Sequence, residues 1–237
     1  MIGDLVLATL LASRIPVPEP SVAEPARAEY AVRWDPSEGG LRDARALLVF
    51  LGAPELPGEI YEVRYFDLPR PDGTPANSTV ILRQRRRTGG RTEFRLKYRL
   101  DRPLTGPWRC PGGSPFEKKE EVDVSVVGPG ASNRVYSYSC DLAREEPPRS
   151  LSAVPKKCTS HVARYAYGGL KIEEWTLPGG GKQLEVSRSA PNDGEELRRF
   201  EQLVSRLRER GVRPSSRSKT ELGSQCPEEG PPGPSGR

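Results

Sequence analysis

Apolar and polar residues alternate along much of the chain, a pattern typical of β-strands that bury one face. In the first such stretch, Tyr30, Val32 and Trp34 lie on one side and polar or small residues lie on the other. The same alternation predicts seven further strands, at 60–66, 83–87, 94–99, 122–126, 161–167, 170–177 and 183–188. The segment 128–160 has a weaker pattern, in which a short strand is indicated near 135–140. The chain is therefore predicted to consist mainly of about eight strands.

Two segments instead repeat apolar residues at helical spacing. Asp35, followed by Pro36, is typical of a helix start and Gly52 of a helix end, so a helix is predicted between them. Asp193 and Gly211 bound a second predicted helix in the same way. The apolar positions are Leu41, Ala44, Leu47, Leu48 and Leu51 in the first helix and Leu197, Phe200, Leu203, Val204 and Leu207 in the second.

Nearly all of the predicted strands carry charged residues on one face, and two architectures fit this pattern. In a sandwich, the charged faces point to solvent. In a closed barrel, the charged faces line the interior, and helices cover the apolar outside. A charged interior is costly in free energy unless it contains water and an anion. The alternation by itself is compatible with both.

The densest charge lies in the segment 80–99, which contains eight basic residues and one acidic residue, Glu93. Basic residues recur at every second position on both sides of a turn at 88–90. They are Arg83, Arg85 and Arg87 before the turn and Arg95, Lys97 and Arg99 after it. Taken alone, such a run is typical of a solvated face or a nucleic-acid patch. It predicts two neighbouring strands that are each cationic on one face.

The amino-acid composition adds little to the prediction of cationic strand faces. The 237 residues suit one domain with tails, and 37 basic against 32 acidic residues give a net charge of +5. This modest excess favours an anionic partner. Residues 1–27 are predicted to be a leader or linker, and residues 223–237 a disordered tail. The apolar run at 5–12 is too short to span a bilayer but could form the core of a weak signal peptide. No basic residue precedes it, so cytoplasmic and exported locations both stay open.

The chain offers few candidates for other chemistry. The four cysteines show no CxxC spacing, so a structural zinc site is not expected. Cys140 and Cys158 either form a disulfide in an exported protein or stay free thiols like the other two. His161 is the single histidine, and neither a nucleophile motif nor a Walker-type loop is present.

An ordered set of motifs spans residues 28–222. It comprises EYAVR at 29–33, YFDLP at 65–69, LRQR at 82–85, FRLK at 94–97, Arg164, LEVS at 184–187, the predicted helix at 193–210 and SKTE at 218–221. This order resembles the CYTH family, the triphosphate tunnel metalloenzymes. Members of that family carry, in sequence, an ExExK strand, a helix, a YFDTP strand, an LRxR strand and a strand ending in LK. An arginine-containing strand, an ExE strand, a helix and a late lysine follow.

The resemblance implies a mostly β fold, in which residues 28–222 form a closed antiparallel β-barrel, or tunnel, of about eight strands with flanking helices. It also implies that the tunnel binds a triphosphate or inorganic polyphosphate and that Mg²⁺ or Mn²⁺ assists its hydrolysis. Glu29 and Glu185 would be the metal ligands, and no catalytic residue is assigned. The implied phosphate-binding residues are Arg33, Arg83, Arg85, Lys97, Arg164 and Lys219.

Two positions depart from the family pattern. Where each ExE pair has its second glutamate, this chain has Ala31 and Ser187. All of the implied phosphate-binding residues are present, whereas two of the four glutamates in the ExE pairs are missing from the implied metal site. Glu121 and Asp123 are among the acids that could replace them as metal ligands. Two functions therefore stay open, a metal-assisted triphosphate hydrolase and a non-catalytic module that binds polyphosphate or another polyanion. A basic RNA-binding surface is a third hypothesis. No specific nucleic-acid partner and no membrane are expected, and the oligomeric state is left open.

Overall fold

The computed structural model describes residues 24–110, 117–142 and 149–227. Most of the predicted leader and the predicted tail after residue 227 lie outside the described residues. Within them the chain forms the strands β1 (Arg27–Trp34), β2 (Glu59–Asp67), β3 (Thr79–Arg87), β4 (Thr92–Leu100), β5 (Glu117–Gly128), β6 (Ala131–Leu142), β7 (Val154–Pro155), β8 (Ser160–Tyr167), β9 (Leu170–Thr176) and β10 (Lys182–Pro191). The helices are α1 (Ala44–Phe50), α2 (Gly194–Glu209) and α3 (Lys219–Gly223), with single 3₁₀ turns at Pro36–Glu38 and Arg149–Leu151. No helix among the described residues is long and apolar enough to cross a membrane.

Nine of these strands close into a barrel. Their order around the barrel is β3-β4-β6-β5-β1-β10-β9-β8-β2, and β2 pairs again with β3. The strands β1 and β5 run parallel, and the other neighbouring pairs around the barrel are antiparallel. The predicted closed barrel with flanking helices is confirmed, with nine strands instead of about eight and with one parallel pair.

The positions of the strands follow the predicted alternation. The predicted strand 94–99 lies within β4, and the predicted strand 183–188 lies within β10. The weakly indicated strand at 135–140 is part of β6, which is 12 residues long and forms a hairpin with the equally long β5. Because the alternation of apolar and polar residues is a local property, it predicts the strands well but leaves their partners open.

The main core lies outside the barrel, between the outer strand faces and the helices. Tyr30, Val32 and Trp34 of β1 are buried there, as the sequence predicts. The apolar stripe of α2 covers them, and the rings of Tyr30 and Phe200 are 6.1 Å apart. Burying a side chain of the size of Phe200 contributes about 1.5–3 kcal/mol, so this stripe holds α2 against the barrel. One face of each core strand is thereby left to point inward.

The first predicted helix is wrong in its N-terminal half. The chain makes one 3₁₀ turn at Pro36–Glu38 and then α1 begins at Ala44, where the side chain of Asp43 accepts a hydrogen bond from the Ala46 amide. Gly40, between the two, has φ +77°, and a Cβ atom there would lie 2.7 Å from the backbone nitrogen of Val212. The chain therefore breaks where the segment after α2 packs against it, a contact that local spacing does not reveal.

The cysteines form two disulfides that the sequence spacing did not indicate. Cys110 pairs with Cys140, and Cys158 pairs with Cys226. The expected bridge between Cys140 and Cys158 is wrong, and so is the alternative of free thiols. Cys140 lies on β6, whose neighbours are β4 and β5, whereas Cys158 precedes β8 on another part of the barrel. Closing the barrel separates the two residues.

Candidate polyanion-binding chamber

The register of the strands assigns one set of side chains to the barrel interior. Residues opposite each other on neighbouring strands point to the same face of a sheet. Arg83 lies opposite Arg95 across β3 and β4, and Arg33 lies opposite Glu185 across β1 and β10. The same relation, followed strand by strand, puts charged side chains on the inner face along most of the barrel. The charged strand faces thus line the interior of a closed barrel, and the alternative prediction of a sandwich with these faces in solvent is wrong.

The interior contains a chamber of about 160 Å³. Ten of its fifteen lining residues are basic and three are acidic, so the lining carries a strong positive excess. The lining residues are Glu29, Arg33, Ile81, Arg83, Arg85, Arg95, Lys97, Arg99, Lys119, Glu121, Asp123, Arg164, Lys171, Lys219 and Thr220. We call this cavity the inner chamber.

All six residues that the resemblance implies for phosphate binding line the inner chamber. The hairpin pattern extends this set to Arg95 and Arg99 but not to Arg87, whose guanidinium forms an ion pair with Glu59 at 3.0 Å and is 55% exposed. Lys119 and Lys171 also line the chamber, although they are not among the residues predicted for the site. Both alternate with inward-facing acids on their strands, which is the signal that could have identified them.

Arg83 differs from its neighbours because it forms no ion pair with any residue that the structure describes. Burial lowers the pKa of its guanidinium to about 10, and the nearby charge of Arg85 adds to this effect. The fold therefore holds Arg83 in a place that disfavours its charge. An anion bound in the chamber would reverse that penalty.

A buried cluster of ion pairs borders the chamber around Glu173 and Glu185, two buried acids that are not among the lining residues. The Nζ atom of Lys219 donates to both carboxylates, at 2.8 Å each. Arg33 donates from Nε to the second oxygen of Glu185 at 2.6 Å. Burial raises the pKa of both carboxyl groups, but the nearby cations together outweigh burial and hold both pKa values below their ordinary value. These cations are Lys219 at both groups, with Lys171 and Arg85 at Glu173 and Arg33 at Glu185. Glu185, an expected metal ligand, has both of its oxygens paired with cations.

The second expected metal ligand, Glu29, belongs to a different group of acids. Glu29, Glu121 and Asp123 each place one carboxylate oxygen within 4.8 Å of the others. The parallel pairing of β1 with β5 produces this group, because it puts Glu29 opposite Asp123. Oδ1 of Asp123 is buried and has no hydrogen-bond partner among the described residues. Three carboxylates with a free oxygen fit a hard divalent cation such as Mg²⁺.

Bases surround this acidic group as well. Lys97 lies 3.2 Å from Asp123 and 3.6 Å from Glu121, and Arg99 lies 3.3 Å from Asp123. The ammonium group of Lys171 contacts Glu29. Coulombic attraction from Lys171, Lys219 and Lys97 keeps the pKa of Glu29 well below its ordinary value although burial raises it. Glu29 is therefore ionised at neutral pH, and all three acids share their oxygens with lysine or arginine.

One wall of the interior is apolar, contrary to the expectation that the charged faces would all point inward. Tyr61, Val63 and Tyr65 of β2 face the lumen and pack with Val162 and Trp175. Basic groups lie over these rings: the Arg85 guanidinium is 5.1 Å from the Tyr61 ring centre, and the Lys219 ammonium is 5.5 Å from that of Trp175. Such cation–π contacts hold the basic groups in place without consuming their hydrogen-bond donors.

The helix α3 closes the chamber at the Lys219 end. Gly223 packs so tightly that a Cβ atom there would lie 3.0 Å from Oγ of Ser160 and 3.1 Å from Cε2 of Tyr65. The disulfide between Cys158 and Cys226 ties this segment to the residues before β8. The sequence prediction did not include α3, although Ser218, whose side chain accepts from the Glu221 amide, forms the S-x-x-E pattern that is typical of a helix start.

A wider cavity of about 580 Å³ adjoins the inner chamber, and we call it the mouth. Glu29, Lys119, Arg164 and Lys171 line both the mouth and the inner chamber. Residues 165–170, at the turn between β8 and β9, form its outer rim. The chain is thus a closed β-barrel with a cationic chamber that opens on one side through a throat of three basic residues and one acid.

Comparisons with known proteins give similar structures at low identity. A protein from Pyrococcus horikoshii has a TM-score of 0.48 at 16% identity, and the match covers 82% of this chain and 98% of that one. A candidate adenylate cyclase from Vibrio parahaemolyticus has a TM-score of 0.47 at 13% identity, with 86% and 100% covered. A candidate adenylyl cyclase from Hippeastrum, described as having a dominant triphosphatase activity, has a TM-score of 0.47 at 14% identity, with 81% and 92% covered. No family model matches the chain. No curated protein matches it either.

Proposed function

We propose that this protein binds a triphosphate or inorganic polyphosphate in the inner chamber and hydrolyses it with the help of one divalent cation. The observation that carries the proposal is the lining of the chamber, with ten basic residues against three acidic ones and with Arg83 lacking a carboxylate partner among the described residues. Surface charge runs do not create an enclosed volume of this kind. The order of motifs that resembles the triphosphate tunnel metalloenzymes supports the same reading.

The chamber offers donors for a linear polyanion on several sides. Arg83 lies opposite Arg95 across β3 and β4, and its planar guanidinium group can bind two phosphate oxygens. Arg95 already donates from two nitrogens to the carboxylate of Asp141, so it adds positive charge to this wall and has fewer donors left. The Nε atoms of Arg85 and Arg99 are buried and have no hydrogen-bond partner in the described residues. Buried donors without partners are costly, and phosphate oxygens would satisfy them. Lys97 contributes a mobile point charge to the same wall.

Glu29, Glu121 and Asp123 are the residues that would hold the divalent cation, Mg²⁺ or Mn²⁺. When bound, such an ion neutralises phosphate charge and orients a water molecule for attack on phosphorus. Lys97 and Arg99 already contact Asp123 and would hold the phosphate beside the ion. Among the described residues, no histidine or free carboxylate stands out as a general base, so we assign positioning and charge stabilisation to these side chains.

The alternative is a barrel that binds polyphosphate without hydrolysing it. Ala31 and Ser187 favour this alternative, since they replace carboxylates at two inward positions. The ion pairs on every acid of the chamber favour it too, because a metal ion would have to compete with lysine and arginine. Both functions need the same cationic lining and differ in the fate of the bound anion.

Thermal unfolding with inorganic tripolyphosphate, combined with an assay for released phosphate, tests the proposal. At a ligand concentration about 100 times Kd, the melting temperature should rise by about 5–10 °C. Release of phosphate with Mg²⁺ or Mn²⁺, and its loss in chelator, would identify a hydrolase. Stabilisation without release would identify the binding module.

Neighbouring arginines provide a matched pair of variants. Arg85→Ala removes an inward guanidinium and should abolish most of the stabilisation by tripolyphosphate. Arg86→Ala removes an outward guanidinium that pairs with exposed Glu62, and such surface pairs contribute about 0–1 kcal/mol to folding, so it should leave the stabilisation unchanged. Equal effects of the two variants, or no stabilisation of the unaltered protein, would refute binding in the chamber.

A further inference from the structure

Lys171 occupies the throat between the inner chamber and the mouth, and both cavities include it in their lining. It lies on β9, in register with Ser187 of β10 on one side and with Ala166 of β8 on the other. Its ammonium group forms an ion pair with Oε1 of Glu29, and its side chain is 28% exposed. Among the described residues, Glu29 is its ion-pair partner. The lysine therefore presents a positive charge that ligands entering from the mouth can reach.

The inward side chains of β10 beside Glu29 supply no positive charge, which explains the contact with Lys171. Ala31 and Ser187 lie opposite each other across β1 and β10, and Ser189 lies opposite Glu29 itself, so the inward positions next to Glu29 on this side are uncharged. Ser187 contributes only a hydroxyl, whose Oγ atom is 3.4 Å from Oε1 of Glu29. One carboxylate and one hydroxyl make a weak site for a divalent cation. The ammonium group of Lys171 instead supplies the positive charge on this side of Glu29.

We infer that Lys171 acts as a built-in cation at the throat, replacing a metal ion on the β9–β10 side of Glu29, so that polyphosphate binds the chamber without a divalent cation. This inference rests on the proposed function and concerns the same site. It makes Lys171 a determinant of metal dependence and not a catalytic residue. The acids Glu121 and Asp123 lie on the opposite side of Glu29, toward β5, and a metal ion held there would share Glu29 with Lys171.

The chemistry of the ammonium group suits this role. Lysine carries three N–H donors, so an ammonium group held by Glu29 has donors left for a phosphate oxygen. Glu29 orients Lys171 and lowers the cost of keeping its charge away from bulk water. Lys119 and Arg164 line the same throat, and the three basic residues together would surround a phosphate that bridges the two cavities. A fixed ammonium charge needs no dissolved metal.

Isothermal titration calorimetry with inorganic tripolyphosphate, in chelator and in Mg²⁺, tests the inference. The unaltered protein should bind in chelator. Lys171→Ala should bind at least about tenfold more weakly in chelator, because a hydrogen bond to a charged group is worth about 1.5–3 kcal/mol. Mg²⁺ should restore most of that loss, since the variant frees Glu29 to ligate the ion together with Glu121 and Asp123.

Lys182→Ala is the matched control. Lys182 also pairs with a glutamate, Glu174, but outside the two cavities. Its replacement should change neither the affinity nor the effect of Mg²⁺. Because Mg²⁺ also binds tripolyphosphate in solution, the affinity of Lys171→Ala is always compared with that of Lys182→Ala in the same buffer.

A double variant controls for a folding defect caused by the unpaired carboxylate of Glu29. Lys171→Ala alone leaves Glu29 without its partner, whereas Lys171→Ala with Glu29→Gln leaves a neutral pair. The double variant should bind weakly in chelator and should not recover in Mg²⁺. If Lys171→Ala binds as well as Lys182→Ala in chelator, or if the unaltered protein binds only with Mg²⁺, the inference is overturned while the proposed function stands. If tripolyphosphate binds under no condition, the proposed function itself fails.

Discussion

Arg83 and Arg85 lie two residues apart on the same face of β3, but the structure treats their charges differently. Arg85 has a carboxylate within reach, with Nη2 at 3.5 Å from Oε1 of Glu173, and it lies over the ring of Tyr61. Arg83 has no such partner in the described part of the chain, and burial together with Arg85 lowers its pKa to about 10. Binding sites commonly trade stability for function, so an unpaired and buried guanidinium at Arg83 is what a site for an anion would contain.

Replacing Arg83 should therefore raise the stability of the free protein and weaken the binding of tripolyphosphate. Arg83→Met removes a disfavoured charge and keeps an apolar stem, so the free energy of unfolding without ligand should increase by about 0.5–2 kcal/mol. The additional stabilisation by tripolyphosphate should decrease sharply. Urea unfolding with and without tripolyphosphate measures both effects. Arg87→Met, at an exposed position on the same strand, serves as the control and should change neither value by much. Lower stability of Arg83→Met without ligand would contradict this account of Arg83.

The C-terminal element α3 is short, with only five residues, and depends on its surroundings. A helix of this length is not stable alone in water. Lys219 anchors it from inside through Glu173 and Glu185, and the Cys158–Cys226 disulfide anchors it from outside. The second disulfide, Cys110–Cys140, joins the loop before β5 to β6 and lies away from α3.

The two disulfides should differ in their effect on binding. Replacing Cys158 and Cys226 by serine should lower the stability by about 2–5 kcal/mol and also weaken tripolyphosphate binding, since α3 then holds Lys219 less firmly. Replacing Cys110 by serine and Cys140 by alanine should lower the stability by a similar amount but keep the affinity. Urea unfolding and calorimetry of both double variants check this. The same loss of affinity in both would show that α3 is not held by its disulfide.

At the scale of the whole molecule, the barrel interior holds its acids ionised by surrounding them with bases. The pKa values of Glu29, Glu173 and Glu185 all lie below the ordinary value of 4.5, because nearby lysines and arginines outweigh the effect of burial. Folded-state pKa values below the unfolded value mean that the unfolded chain takes up protons first as the pH falls. The stabilisation by these acids is complete above pH 4.5 and is lost progressively below it.

Thermal unfolding against pH should show this dependence. The melting temperature should vary little between about pH 8 and pH 5 and should fall steeply below about pH 4.5, where the lysines and arginines lose their counter-charges. Glu173→Gln should be less stable at pH 7 by about 3–5 kcal/mol, because it leaves buried cations unpaired. It should also lose less stability on acidification. A main loss of stability near pH 6–7 would contradict the assignment.

Much of the fold and the inner chamber follows from the sequence alone. Alternation along the chain placed the strands, and the helix at 193–210 corresponds to α2, with Asp193 as its cap. Basic residues at every second position on β3 and β4 predicted one cationic face, and Arg83 and Lys97 do line the chamber. These features depend on the side-chain periods of strands and helices, which neighbouring residues in the sequence determine.

Only the tertiary structure decided which faces, acids and cysteines meet. The parallel pairing of β1 with β5 brings Asp123 to Glu29, and the packing of Val212 against Gly40 breaks the first predicted helix. Barrel closure turns the apolar face of β2 inward and directs Cys158 to Cys226. Each of these contacts joins segments that are far apart in the chain. Register and loop closure govern such contacts, and local patterns carry no information about either.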